Sequence, residues 1–248
     1  MGGLIQVVRN QAGLPPGPLD YWQCRWDEKN LGIERDFVLK GWEKRRLLRL
    51  RPDYKDKEGW HPTTRVEFMS IAAREALRDG KCAVVGGFIR DWVIRGEVDE
   101  AAGTPKDIDL RVWQGFDVEA YVRRCENWGL VRDDRGTKIG FETPYGDWFF
   151  IDYLNDEDLG PGTTLSIDLD VNSFAVSPDL GLHKREYLER PFCKTYGNIK
   201  RKVAYLIKTN PCDDHCDYMM KRVIKMEERG WKVIRSNTLQ KNCAHIEM

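Results

Sequence analysis

The sequence predicts an α+β fold whose strands share one sheet and whose helices pack beside it. Three observations carry this reading. A capped amphipathic helix leads into a short apolar strand that ends on Gly86-Gly87 and turns straight into another helix. The segment Lys106-Asp107-Ile108-Asp109-Leu110-Arg111-Val112 alternates charged and apolar residues with period two. Further apolar runs of strand length follow between residues 137 and 176, and helical stretches close the chain.

Residues 1–62 carry Pro15, Pro16, Pro18, Pro52 and Pro62 around a charged stretch from Glu34 to Arg51, and read as an accessory extension packed on a core. From Thr64 the pattern sharpens. Thr64 and Glu67 are spaced as a capping box, and Val66, Met69, Ala73, Ala76 and Leu77 recur at helical spacing until Gly80. Cys82 to Val85 make a short buried strand, Gly86-Gly87 the turn, and Phe88 to Arg95 the next helix. After a polar loop from Glu97 to Pro105, the alternating strand sets Ile108, Leu110 and Val112 on one face and Asp107 and Asp109 on the other. Asp117 caps a helix to about Asn127, with Val118, Tyr121, Val122 and Cys125 inward and Gly129 closing it.

The runs Thr137 to Thr143, Asp147 to Tyr153 and Asp168 to Val176 read as strands of the same sheet, the first two joined as a hairpin through Pro144-Tyr145-Gly146. Residues 63–178 thus form the main domain. Residues 179–248 are basic and mainly helical, with helices expected over Asn198 to Lys208 and Asp213 to Arg229 and a frayed tail after Trp231.

Composition bounds the function. The 248 residues hold 40 Lys+Arg against 40 Asp+Glu, so a polyanion partner would have to be met by local clusters and not by net charge. With 41% hydrophobic and 32% charged residues and a mean hydropathy of −0.58, the chain reads as a globular protein without a membrane-spanning segment. Seven widely spaced cysteines point to a reducing, intracellular and cytoplasmic-type compartment.

Asp107 and Asp109, separated by one strand residue, point the same way roughly 6 to 7 Å apart at the backbone. Carboxylates so placed converge on Mg²⁺, which takes hard oxygen ligands and fills its shell with water and substrate phosphates. The Gly86-Gly87 turn lets backbone N–H groups approach a phosphate without Cβ interference, and a following helix N-terminus favours negative charge. An alternating acidic strand or a glycine pair alone is commonplace. The ordered combination is much less so.

Gly86-Gly87-Phe88-Ile89-Arg90-Asp91 followed by Lys106-Asp107-Ile108-Asp109-Leu110 resembles the head domain of class II tRNA nucleotidyltransferases (CCA-adding enzymes) and bacterial poly(A) polymerases, in the DNA polymerase β-like superfamily. The resemblance spans about residues 65 to 178. It implies a small mixed sheet flanked by helices, with residues 63–178 as the nucleotidyltransferase head, 1–62 as an N-terminal extension and 179–248 as a neck-like region. It also implies Asp107 and Asp109 as ligands of two catalytic Mg²⁺ ions, and Gly86, Gly87 and Arg90, with Lys106 beside the acidic pair, as nucleotide-binding residues for ATP and/or CTP. Asp91 then organises the turn. Asp168 and Asn172 match a further nucleotide-binding strand of the family, although Ser166 and Ile167 stand where an arginine pair is expected. Asp152 is the best-placed third catalytic carboxylate, with an ordinary edge aspartate as the equally weighted alternative. No counterpart of the family's base-selecting Glu/Asp-Asp-x-x-Arg template is present in the sequence.

An RNA partner needs positive charge interleaved with aromatic rings. Lys184, Arg185, Lys200, Arg201 and Lys202, with Tyr187, Tyr196 and Tyr205 among them, form the leading RNA surface. Lys44, Arg45, Arg46, Arg49 and Arg51 beside Trp42 form the second, and a solvated helix face is the competing reading of each. Cys212, His215 and Cys216, with Cys193, Cys243 or His245, match no standard zinc spacing, so buried thiols are favoured over zinc. Three functions compete: template-independent addition of nucleotides to an RNA 3′ end, nucleotidyl transfer to a protein or small molecule, and a catalytically inactive RNA-binding subunit.

Overall fold

The computed structural model describes residues 22–26, 41–55, 60–96, 104–133, 138–155, 168–178, 182–185, 192–206 and 216–235, to which every structural statement refers. In chain order the elements are β1 (Trp22–Trp26), α1 (Gly41–Leu48), α2 (Arg65–Leu77), β2 (Cys82–Val85), a π-wound helix (Ile89–Ile94), β3 (Asp107–Val112), α3 (Val118–Glu126), β4 (Val131–Asp133), β5 (Ile139–Glu142) and β6 (Trp148–Asn155). A 3-10 turn (Asp170–Asn172), β7 (Phe174–Val176), β8 (Leu182–Arg185), α4 (Phe192–Lys200), β9 (Val203–Tyr205), α5 (Cys216–Glu228) and β10 (Lys232–Ile234) follow.

Eight strands form one mixed sheet in the order β1-β8-β7-β2-β3-β6-β5-β4, in which β3 and β6 run parallel and the other neighbours antiparallel. The expected mixed sheet with flanking helices is therefore present. Its apolar face carries Ile108, Leu110, Phe141, Phe149 and Ile151, each at most 1% exposed, under α2 and α3. Tyr121 of α3 meets Phe141 edge-on at 6.3 Å, and Phe141 lies 5.7 Å from Phe149. Each such ring contributes about 1.5–3 kcal/mol by leaving water. Helix α2 starts where its box predicts, with Thr64 N–H donating to Glu67 at 3.3 Å. Helix α3 is capped by Asp117, which accepts from Ala120 N–H at 2.9 Å. The β5–β6 hairpin closes through a Gly146 N–H to Thr143 carbonyl bond of 2.9 Å.

Three expectations are corrected. Asp168 to Val176 is not one strand: Asp170 accepts from Tyr205 N–H at 2.7 Å and Ser173 Oγ donates to the Asp170 carbonyl at 2.5 Å, which folds the backbone into the 3-10 turn and leaves Phe174–Val176 as strand. The helix expected over Asn198 to Lys208 lies earlier, at Phe192–Lys200. Lys202, at φ 53°, stops it, and Val203–Tyr205 becomes a strand parallel to β10. That pairing also orders Lys232–Ile234, in the tail expected to fray.

The described parts of the N-terminal extension join the main body. Strand β1 pairs with β8, and Leu47 and Leu50 are buried in the common core. Arg46 donates to the carbonyls of Val93 at 2.9 Å and Ile94 at 3.1 Å, supplying donors to the open end of the π-wound helix. At the C-terminal side, Trp231 is 3% exposed and lies beneath the guanidinium groups of Arg90 (5.1 Å) and Arg95 (5.7 Å). Helix α5 and β10 are thereby held against the helix that follows Gly86-Gly87. No helix among the described residues is long and apolar enough to cross a membrane.

Candidate active site

On the side of the sheet opposite α2 and α3, strand register assembles an acidic row. Asp109 of β3 is the Cα partner of Val85 in β2, the residue before Gly86, and of Asp152 in β6. Paired residues in register share a face, so Asp107, Asp109 and Asp152 project together. Asp107 is exposed, while Asp109 and Asp152 are half-buried.

Gly86 turns the chain at φ +75°, and a Cβ built there would collide with Asp109 Oδ2. Gly87 N–H donates to the Asp109 carboxylate, which ties the turn to the acidic row. Burial, followed by the like charges of Asp107 and Asp152, pushes the Asp109 carboxyl up to about 6, against the opposing pull of Arg222 and Gly87 N–H. Such crowding is relieved by a cation.

Two cations not named among the sequence-predicted site residues stand at this row. Lys138, just before β5, pairs with Asp152, and its ammonium pKa is raised by that bond and by the charges of Asp107 and Asp109. Arg222, from α5, reaches Asp168 with Nε 2.9 Å from Oδ2 and acts electrostatically on Asp109. Arg222 belongs to an element distant in sequence from the carboxylates and nothing in local periodicity announces it, whereas Lys138 stands across the predicted β5–β6 hairpin from Asp152.

Arg90 is 4% exposed and lies behind the turn. It forms a fork with Asp91 (Nε to Oδ1 2.7 Å, Nη2 to Oδ2 2.5 Å) and donates from Nη1 to Asn172 Oδ1. Asn172 Nδ2 donates in turn to Asp168 Oδ1 at 2.8 Å, and Arg229 approaches Asp91 at 3.9 Å. The chain Asp91, Arg90, Asn172, Asp168, Arg222 thus links the glycine turn to α5. Lys106 is exposed at the entrance of β3.

The basic residues divide. Lys200 Nζ bonds Glu43 Oε1 at 2.6 Å and the Ile94 carbonyl at 3.2 Å, Arg201 bonds Asn198 Oδ1 at 2.9 Å, and Lys202 bonds the Arg229 carbonyl at 3.1 Å. Lys184 and Arg185 lie in β8. In α1 and after it, Arg46 is turned inward, Arg49 pairs with Glu67 at 3.4 Å over Trp60, and Arg51 pairs with Asp53. Arg45 and Trp42 remain at the surface, stacked at 5.2 Å.

Among the described residues no three His, Cys, Asp or Glu side chains form a ready-made metal cage. The hard-oxygen donors of Asp107 and Asp109, crowded on one face beside a glycine turn, still fit Mg²⁺, which draws most of its shell from water and substrate phosphates. The Cys212–His215 segment, Cys243 and His245 lie outside the described residues, as do the side chains of Cys193 and Cys216.

No protein-family model matches the chain, and no curated protein matches it. Among solved structures it is similar to a CCA-adding enzyme in complex with CTP, at 18% identity and a TM-score of 0.46, over 80% of this chain and 44% of that one. It is similar also to the Thermotoga maritima CCA-adding enzyme complexed with tRNA-CCA, at 19% identity and a TM-score of 0.43, over 73% of this chain and 42% of that one. The chain spans less than half the length of these proteins.

Proposed function

We propose that this chain is a template-independent RNA nucleotidyltransferase, transferring a nucleotidyl group from ATP and/or CTP to the 3′ hydroxyl of an RNA and releasing pyrophosphate. The observation that carries the reading is the row Asp107, Asp109 and Asp152 on one sheet face, set directly beside the Gly86-Gly87 turn. A phosphoryl-transfer site needs this pairing of a cation-holding edge with a backbone that phosphate can approach.

Asp107 and Asp109 would hold two Mg²⁺ ions, with Asp152 as third carboxylate; when bound, these ions acidify the attacking hydroxyl and offset charge on the departing pyrophosphate. Gly86 and Gly87 present the edge along which the triphosphate lies. Arg90, fixed by Asp91 and Asn172, holds that edge in position from behind. Asn172, Asp168 and Arg222 set its distance from α5, and Lys106 adds positive charge at the mouth. Lys184, Arg185, Lys200, Arg201 and Lys202 are assigned to the RNA path, those already bonded to protein groups serving it through their stems and local field. Buried, reduced Cys82 and Cys125 fit a reducing compartment.

The test is incubation of the protein with Mg²⁺, each α-labelled nucleoside triphosphate and a mixture of small RNAs, beside Asp107→Asn/Asp109→Asn. Labelled RNA that falls roughly a thousandfold or more in the variant is the expected result. Label on protein or a small molecule, or no label with any nucleotide, overturns it.

A further inference from the structure

We infer that Phe150 is the platform on which the 3′-terminal base of the RNA acceptor stacks, an inference that rests on the function proposed above. Phe150 sits in β6 between Phe149 and Ile151, which are both fully buried on the apolar face, while its own ring points to the acidic face and is 37% exposed. Its Cα partner in β3 is Asp107, and the next residue on the same face of β6 is Asp152.

On its other side the Cα partner is Gly140 of β5. A Cβ at Gly140 would lie 3.0 Å from the Asp133 carbonyl oxygen and 3.5 Å from Phe150 Cε1, so the ring lies along bare backbone and no side chain competes for it from that strand position. One face of the ring is supported and part of its surface stays in water. A single exposed aromatic ring needs no explanation of itself. This one shares its face with Asp107, Asp152 and the Lys138 paired with Asp152, surroundings unlike the charge-depleted centre of a protein interface. An aromatic ring with a lysine close by matches an unpaired base and its phosphodiester.

The order of elements across the sheet decides which base. Gly86-Gly87 follow β2, Asp107 and Asp109 come next on β3, and Phe150 lies beyond them on β6, two residues before Asp152, with Gly140 of β5 on its outer side. In-line transfer sets attacking and leaving oxygens on opposite sides of the phosphorus. With the triphosphate along the glycines, the attacking 3′ hydroxyl comes from the β6 side, and its base falls on Phe150.

The experiment compares a short single-stranded RNA with the same RNA ending in an abasic ribose, on the wild type and on Phe150→Ala, Phe150→Leu and Phe150→Trp, with melting curves confirming the fold of each. The wild type is expected to favour the intact end in kcat/KM by roughly tenfold or more, the worth of one stacked base. Phe150→Ala and Phe150→Leu lose that preference, Phe150→Trp keeps it, and KM for the nucleoside triphosphate stays unchanged in all three. Preference retained in Phe150→Ala or Phe150→Leu, or a nucleotide KM that rises instead, overturns the platform and leaves the proposed function standing. A wild type that labels neither RNA overturns both.

Discussion

Gly86 and Asp109 occupy space that only a glycine permits them to share: a Cβ at position 86 would overlap Oδ2 of Asp109 and come within 3.3 Å of its Cγ. The turn and the carboxylate are therefore one steric unit. The φ of +75° adds a second demand for glycine at the same residue.

Gly86→Ala tests that unit. A side chain in this left-handed conformation costs about 1–2 kcal/mol, which corresponds to a fall in Tm of roughly 2 to 8 °C for a chain of this size. The Asp109 carboxylate must also move, so nucleotidyl transfer should fall by roughly a hundredfold or more. A variant that melts a few degrees lower yet transfers at the wild-type rate would show that the close approach has no part in the chemistry.

Asp109 also sets a pH dependence. Its carboxyl is held at about 6, against an ordinary 3.8, first by burial and then by Asp107 and Asp152. Between these values the folded protein binds a proton that the unfolded chain has lost, so the associated stability is present below about 4 and disappears as pH rises through about 6. The amount is on the order of 3 kcal/mol. In chelator, Asp109→Asn should therefore out-melt the wild type above pH 7, with the gap narrowing towards pH 4. Parallel melting curves across that range would refute the assignment.

Arg222 belongs to the same balance. Its Nε lies 2.9 Å from Asp168 Oδ2, and its charge pulls the Asp109 carboxyl downward. Arg222 is 44% exposed on its side chain, so solvent screening reduces the pair to about 1 kcal/mol. Arg222→Ala should cost that amount and steepen the acid-side dependence of the metal-free protein. Adding Asp168→Asn should recover part of the loss, because the buried carboxylate no longer needs a counter-charge. Strictly additive losses in the double variant would mean that the two residues are not coupled.

What sequence made legible follows from the range of each signal. The capping box at Thr64 and Glu67, the strand running into Gly86-Gly87 and the period-two segment around Asp107 and Asp109 are local patterns, and the structure reproduces them. The run from Asp168 to Val176 misleads because its apolar residues suit a strand, while Asp170 captures Tyr205 N–H from another element and bends the backbone. Lys202 stops a helix at φ 53°, which composition does not mark. Lys138 follows from the predicted hairpin, whose register sets it opposite Asp152, while Arg222 is reached only by knowing that α5 returns to the turn. Long-range packing, and no weakness of the local pattern, is what hides Arg222.

The basic segment of α1 gives the last prediction, because the structure separates two arginines adjacent in sequence. Arg46 donates to two carbonyls at the end of the π-wound helix, stacks on Trp92 at 5.6 Å, and fills the space above Gly96, where a Cβ would meet its Nη1 at 2.6 Å. Burial holds its guanidinium pKa below the ordinary value. Arg45, one residue earlier, is exposed over Trp42, itself 70% exposed. Arg46→Ala should then cost about 2–3 kcal/mol and lower Tm by roughly 4 to 12 °C, with Arg46→Lys recovering little because a single ammonium cannot reproduce the two-pronged contact. Arg45→Ala should leave Tm unchanged within error and, where α1 contacts RNA, reduce the salt slope of RNA binding by about one. If Arg46→Ala leaves Tm intact, the extension is not fastened at this point and its arginines are open to serve as a phosphate surface.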